Sequence, residues 1–100
     1  MAEIIWAEPA LSDLDAIADY IALENAPAAR RLVSRIFAHV EQLRSFPKSG
    51  SVPNDLKDLG YRQIVEPPCR IFYRIENGQV YVVHVIRSER KLRRSVLRRR

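Results

Sequence analysis

One hundred residues, 47% apolar and 29% charged, with 17 Lys and Arg against 12 Asp and Glu, suit a single domain, residues 1–100, with a modest core. The single cysteine, Cys69, excludes an intrachain disulfide and offers no CxxC or metal-ligand spacing, so a reducing compartment is expected. No apolar run approaches the roughly 20 residues of a membrane span, and MAEIIWAEP lacks the basic and apolar regions of a secretory signal, so a soluble cytoplasmic protein without metal or cofactor is expected.

EIIWA, Glu3 to Ala7, is short and β-branched and stops before Pro9, which predicts a first strand. Pro9 suits the first turn of a helix, where a missing N–H costs nothing. Leu11, Leu14, Ile17, Ala18 and Ile21 then recur at three-to-four spacing and predict one apolar helical face. Asp13, Asp15 and Asp19 are expected on the opposite side, with the acids near the start complementing the helix dipole.

Asn25, with Pro27 close behind, predicts the N-cap of a second helix. Its apolar stripe is Ala29, Leu32, Val33, Ile36, Val40 and Leu43, and Arg30, Arg31, Arg35 and Arg44 occupy the complementary surface. So short a link makes the two helices an antiparallel hairpin. Pro47 and Gly50 end the second helix near Phe46, and residues 47–60 form a loop-rich crossing.

Three β-like runs follow: YRQIVE, CRIFYRIE and QVYVVHVIR. Pro67-Pro68 lacks backbone donors, so an irregular hairpin is expected there. Asn77-Gly78 fits a two-residue hairpin with positive φ at both positions. Strict alternation places Val80, Val82, His84 and Ile86 on one face of the last strand, with Tyr81, Val83, Val85 and Arg87 on the other. After Arg87 the alternation fails, and SERKLRRSVLRRR reads as a basic tail or short helix. The order β-α-α-β-β-β, with one apolar stripe per helix, predicts an α+β two-layer sandwich: a helical hairpin on a mainly antiparallel sheet.

Charge is segregated along the chain. Residues 1–26 hold Glu3, Glu8, Asp13, Asp15, Asp19 and Glu24 and no Lys or Arg, whereas residues 87–100 hold eight basic residues and one acid. A positive C-terminal end steers towards nucleic acid, a nucleic-acid machine or an acidic protein surface. Arg62, Arg70, Arg74, Arg87 and Arg90 recur through the strands. His84, flanked by valines, and His39, on the second helix, read as structural residues, and Cys69 as a structural thiol. Tyr73 is expected under the helices, with Trp6 and Tyr20 as core or interface aromatics.

The stretches IIWAEPALSDLDAIADYIA, FPKSG, YRQIVEPPCRIFYRI and VVHVIRSER, in this order, resemble the RelE/ParE superfamily of toxins from type II toxin–antitoxin systems, associated with growth inhibition and plasmid stabilisation. The resemblance implies one of two activities. ParE-like members poison DNA gyrase by binding it. RelE-like members cut mRNA on the ribosome, which requires groups that activate a 2′-OH, stabilise the phosphate and protonate the leaving oxygen. Such nucleases carry lysines on the first hairpin strand and often a Tyr or His near the C-terminus. Here that strand has Arg62 and no lysine, and no Tyr or His follows His84.

Arginine stays protonated and shuttles protons poorly, so the ParE branch is preferred, without catalytic residues and with Arg87, Arg90, Lys91, Arg93 and Arg94 as the target-binding cluster. The alternative is a ribosome-dependent mRNA endonuclease using Arg62, Arg70, Arg87 and Arg90; a third reading is an inactive homologue that only binds antitoxin. The implied partners are a ParD-like antitoxin and gyrase, with nucleic acid met through the target or operator complex. The implied assembly is a homodimer or a toxin–antitoxin heterotetramer.

Overall fold

A computed structural model describes residues 1–87, the side chain of Asp55 apart. Strand β1 (Ile4–Trp6) leads into helix α1 (Glu8–Ala22) and helix α2 (Ala26–Glu41), followed by β2 (Arg62–Glu66), β3 (Cys69–Glu76) and β4 (Gln79–Arg87). The expected β-α-α-β-β-β order and two-layer α+β architecture are both present. The sheet runs β1-β4-β3-β2, with β1 parallel to β4 and the two hairpin pairs antiparallel. The basic tail or short helix expected after Arg87 lies outside the described residues.

The helix boundaries follow local chemistry. Pro9 sits in the first turn of α1, and Asn25 caps α2 by accepting the Ala28 N–H at 3.0 Å. α2 tightens into a short 3-10 turn over Gln42–Arg44 before Pro47. Ala10 and Leu14 of α1 join Leu32, Ile36 and Val40 of α2, Leu43 and the inner sheet residues Ile64, Ile71, Tyr73, Val80, Val82 and Val85 in the main core. A fully buried aliphatic side chain in such a core is worth about 1.5–3 kcal/mol. The predicted stripe of α1 needs one correction: Leu11 is exposed, because Ala10 takes the buried place at that turn.

The loop-rich crossing is more ordered than its composition suggests. Asn54–Leu59 forms a 3-10 helix that lies over the other face of the sheet, where Leu56 and Tyr61 meet Phe72 and Val83 in a second small core. The sheet is therefore covered on both faces, one broadly and one locally.

Both hairpins turn on two residues. Asn77 and Gly78 take φ of 54° and 74°, as the Asn-Gly dipeptide predicts. The Pro67-Pro68 connection is tighter than expected. Its peptide is cis, and β2 and β3 stay in register to the last pair, Glu66 opposite Cys69.

Strict alternation in β4 is overturned. Phe72 lies opposite His84 but Tyr73 lies opposite Val82, so Val83 is an extra residue in β4. The bulge shifts the faces by one residue: Val85, not Ile86, returns to the helix side, and Ile86 joins the second core with Val83. His84 is buried beside Asp13.

Asp13 is the second correction to the α1 pattern. It turns towards the sheet and is only partly exposed; its Oδ2 accepts the Val85 N–H at 3.1 Å and bonds His84 Nδ1 at 3.0 Å. A carboxylate only accepts, so Nδ1 carries the proton. Substituting Asp13→Ala leaves the Val85 N–H and the His84 ring without this acceptor, and a loss of about 1–3 kcal/mol of folding stability is expected. Urea unfolding monitored at Trp6 checks it, with a smaller loss for Asp13→Asn, which keeps one acceptor oxygen.

Candidate functional site

The sheet register sorts the arginines by face. Arg62 stands opposite the buried Tyr73 and therefore on the helix side, as does Glu66 opposite Cys69. Arg70 and Arg74 flank Phe72 at alternate positions and share the other face. Arg87, opposite Cys69, is again on the helix side, its guanidinium 5.1 Å from the ring centre of Tyr20 on α1.

The four described arginines of the strands each meet their own chain. Arg62 Nη1 donates to the carbonyls of Gly50 at 2.8 Å and Lys48 at 3.1 Å. It thereby braces the segment that Tyr73 also holds, through its hydroxyl donating to Pro47 O at 2.7 Å and accepting the Gly50 N–H at 2.9 Å. Arg70 Nε donates to Gln63 Oε1 at 2.8 Å and its guanidinium lies 4.8 Å from the Phe72 ring centre. Arg74 lies 5.1 Å from the Tyr81 ring centre and pairs with Glu76 at 3.3 Å. The outer face thus carries two arginines, each over an aromatic ring, with Phe72 itself buried against Leu56 and Tyr61.

The described residues of the nuclease alternative, Arg62, Arg70 and Arg87, do not converge, and Arg90 lies outside the described residues. Arg62 belongs to the row Arg62–Tyr73–Val82 and Arg87 to the row Glu66–Cys69–Arg87, which lie four residues of β2 and β3, about 13 Å, apart along the strands. Arg70 is near the second row but on the opposite face. Of the proposed target-binding cluster, Arg87 is described at the end of β4, and Arg90, Lys91, Arg93 and Arg94 lie outside the described residues.

Both histidines hold the fold together, as their sequence contexts suggest. His84 is 8% exposed and tied to Asp13. His39 Nδ1 lies 3.2 Å from Glu66 Oε1, and Arg35 reaches the other Glu66 oxygen at 3.3 Å and Pro67 O at 3.3 Å, so Glu66 binds the β2 end to α2. Cys69 is buried in the main core. Trp6 stacks on Phe37 with centroids 4.8 Å apart, while Tyr20 is exposed beneath Arg87. Among the described residues, no group of three or more His, Cys, Asp or Glu is placed to hold a metal, and no helix is long and apolar enough to cross a membrane.

The pairing of Arg70 with Arg74 was missed in the sequence as a site. The alternation Arg70, Phe72, Arg74 carries that signal. Glu66 and Asp13 carried no local signal, because their partners are 27 and 72 residues away.

The element order, the sheet order and the arginine-bearing hairpins define a toxin of the RelE/ParE superfamily. Within it the chain belongs to the family of ParE toxins of type II toxin–antitoxin systems, whose parDE family model matches residues 4–92. It is similar to Toxin RelE2 of Caulobacter vibrioides, with 33% identity over 90% of this chain and 99% of that protein. It is also similar to a solved structure of a chromosomal ParDE toxin–antitoxin system from P. aeruginosa, with 25% identity, a TM-score of 0.73, and coverage of 87% of this chain and 96% of that one.

Two outcomes follow from the bracing of the 47–50 segment. A Cβ at Gly50 would sit 2.5 Å from Tyr73 Oη and 2.7 Å from the Gln63 carbonyl oxygen, so Gly50→Ala is expected to lower the melting temperature by several degrees at least. Burial raises the Tyr73 pKa above 10.0, against the opposing pull of the Gly50 N–H and Arg62. A phenol with a raised folded pKa contributes its stability fully below pH 10.0 and loses it as pH climbs through the folded value. Ultraviolet titration should show one tyrosine ionising late, and Tyr73→Phe should abolish that late step.

Proposed function

We propose that this toxin inhibits DNA gyrase by binding it, catalyses no reaction itself, and is neutralised by a cognate ParD-like antitoxin in the cytoplasm. The family match across residues 4–92 and the likeness to a ParDE system support the antitoxin partner. The observation that carries the gyrase reading is the engagement of the proton-transfer candidates. His84 is buried against Asp13, His39 is held by Glu66, and Arg62, Arg70 and Arg87 serve separate parts of the fold. A binding toxin needs charge and shape rather than an acid–base pair. The basic run that follows β4, with Arg90, Lys91, Arg93 and Arg94, supplies that charge.

A supercoiling assay with purified protein tests the reading. Loss of supercoiling, accumulation of cleaved DNA and reversal by antitoxin are expected. Arg90→Glu with Arg93→Glu should raise the half-inhibitory concentration at least about tenfold, equivalent to about 1.4 kcal/mol of binding, with unchanged circular dichroism. Undiminished inhibition by this folded double variant would remove the basic run from the mechanism.

The name of the Caulobacter relative favours a second reading, a ribosome-dependent mRNA endonuclease. Transcripts cut within codons in expressing cells, together with inactive gyrase assays, would select it. Arg62→Ala and Arg70→Ala would then be the variants expected to abolish cleavage.

A further inference from the structure

We propose that the outer flank of α1 is the docking surface for this chain's own basic segment, residues 88–100, which folds back on it and is released when a target takes the segment instead. The docking does not depend on what the target is; its consequence for inhibition rests on the gyrase reading.

The other charged surfaces are poor partners for that segment. α2 carries Arg30, Arg31 and Arg35 on its exposed side, and the outer face of the sheet carries Arg70 and Arg74. Glu41, Glu66 and Glu76 each have an arginine partner already. On α1, by contrast, Glu8, Asp15 and Asp19 are exposed, form no ion pair with another described residue and have no Lys or Arg on their own helix.

The same flank also offers apolar surface. At about 100° per residue, Ala16, Tyr20 and Leu23 fall in an arc of about 60°, and the three acids fill an adjoining arc of about 40°. The apolar stripe lies on the side of α1 away from the groove with α2, which Ala18 and Ala22 line. Tyr20 is 61% and Leu23 82% exposed, the largest values for big apolar side chains on the hairpin.

The strand delivers the segment to this flank. Val82 meets Ala7, Val85 meets Asp13 and Arg87 meets Tyr20, so β4 and α1 run the same way and β4 ends beside the last turns of the helix. Arg87 there lines a cleft with Ala16 and Ile17, its guanidinium 5.1 Å from the Tyr20 ring centre. The 13 residues that follow span about 20 Å as helix and about 40 Å extended, against about 22 Å for the 15 residues of α1. Either way they reach its whole length once the chain reverses.

The segment has seven Lys and Arg and one Glu, with Leu92 and Val96 four apart, as Ala16 and Tyr20 are. Run back along α1, it sets Leu92 at Tyr20 and Leu23, and Val96 at Ala16. Arg93 and Arg94 then pass Asp19, and the last arginines come to Asp15 and Glu8. Apolar and charged groups match in one register, with the arginine stems covering the exposed stripe. Docking turns towards α1 the arginines that would grip a target. A segment docked in nine chains of ten weakens target binding about tenfold.

A nitroxide attached at Ser95→Cys in the purified full chain maps the contact, since Cys69 is buried. Relaxation enhancement of amide signals is expected at Asp15, Ala16, Asp19 and Tyr20, and not at Arg30 or Arg31. It should vanish in Asp15→Lys with Asp19→Lys at unchanged circular dichroism, and weaken in Asp15→Asn with Asp19→Asn, which removes charge without reversing it. Mixing spin-labelled chains with isotope-labelled chains that lack the nitroxide isolates contacts between copies, and no enhancement is expected there. Enhancement in that mixture, enhancement centred on α2 or the sheet, or none at α1 overturns the proposal. So does undiminished enhancement in the folded lysine variant. In the supercoiling assay the lysine variant should inhibit at a concentration up to about tenfold lower than wild type. An unchanged half-inhibitory concentration, with the segment mapped to α1, overturns its release as a control on binding. If no form inhibits gyrase, the gyrase reading falls and the relaxation map alone decides the docking.

Discussion

Strand β1 pairs with β4 over only three residues, and its last contribution is the Ala7 N–H donating to the Val82 carbonyl at 2.9 Å. Beyond that point β4 continues to Arg87 with no strand on that side, yet it is an interior strand whose edge lies under a helix. A backbone donor stranded there would cost about 1–3 kcal/mol. Asp13, in the second turn of α1, takes the place of the missing strand by accepting the Val85 N–H. That single carboxylate sets how α1 lies along β4, brings Ala16 and Ile17 beside Ile86 and Arg87, and holds His84 where the strand bulges. The bulge occurs where β1 ends, so partner loss, altered face and polar cap are one local solution.

A second brace works at the opposite end of the sheet. Tyr73 is fully buried, but its hydroxyl reaches the 47–50 segment, where Arg62 also donates to two carbonyls. Polar groups in that crossing are thereby satisfied from the sheet, which leaves the crossing free to lay Leu56 over the other face. Gly50 is required because no side chain fits between the Tyr73 hydroxyl and the Gln63 carbonyl. The arginines are therefore not a uniform cationic lining. Arg62 is structural, Arg70 and Arg74 form an aromatic-backed outer surface, and Arg87 opens the basic end of the chain beside the acidic helix.

For a binding toxin this division of labour is physically coherent. The scaffold is held by the Asp13 and Glu66 carboxylates together with the buried Tyr73 phenol and His84 imidazole. The long-range field comes from charge placed at one end of the chain and along one helix. The hairpin carries its own polarity, acid on α1 and base on α2.

The sequence by itself determined the element order, the two helix starts, the Asn-Gly turn and most of the buried stripe. Each of these depends on residues within a few positions of one another: a cap three residues from its donor, a stripe with helical period, a dipeptide that tolerates positive φ. It also indicated that His84, His39 and Cys69 are structural, since their neighbours are those of a packed interior. The tertiary structure alone decided the faces of β4 after Val82, the capture of Asp13 by β4, the exposure of Leu11 and the separation of Arg62, Arg70 and Arg87 from one another. Those outcomes depend on where a three-residue strand stops pairing and on bonds spanning up to 72 residues. Period-two and period-3.6 patterns are blind to both, because a bulge changes the phase of a strand without changing its composition, and a carboxylate reads as solvent-facing until the donor it must satisfy is in place.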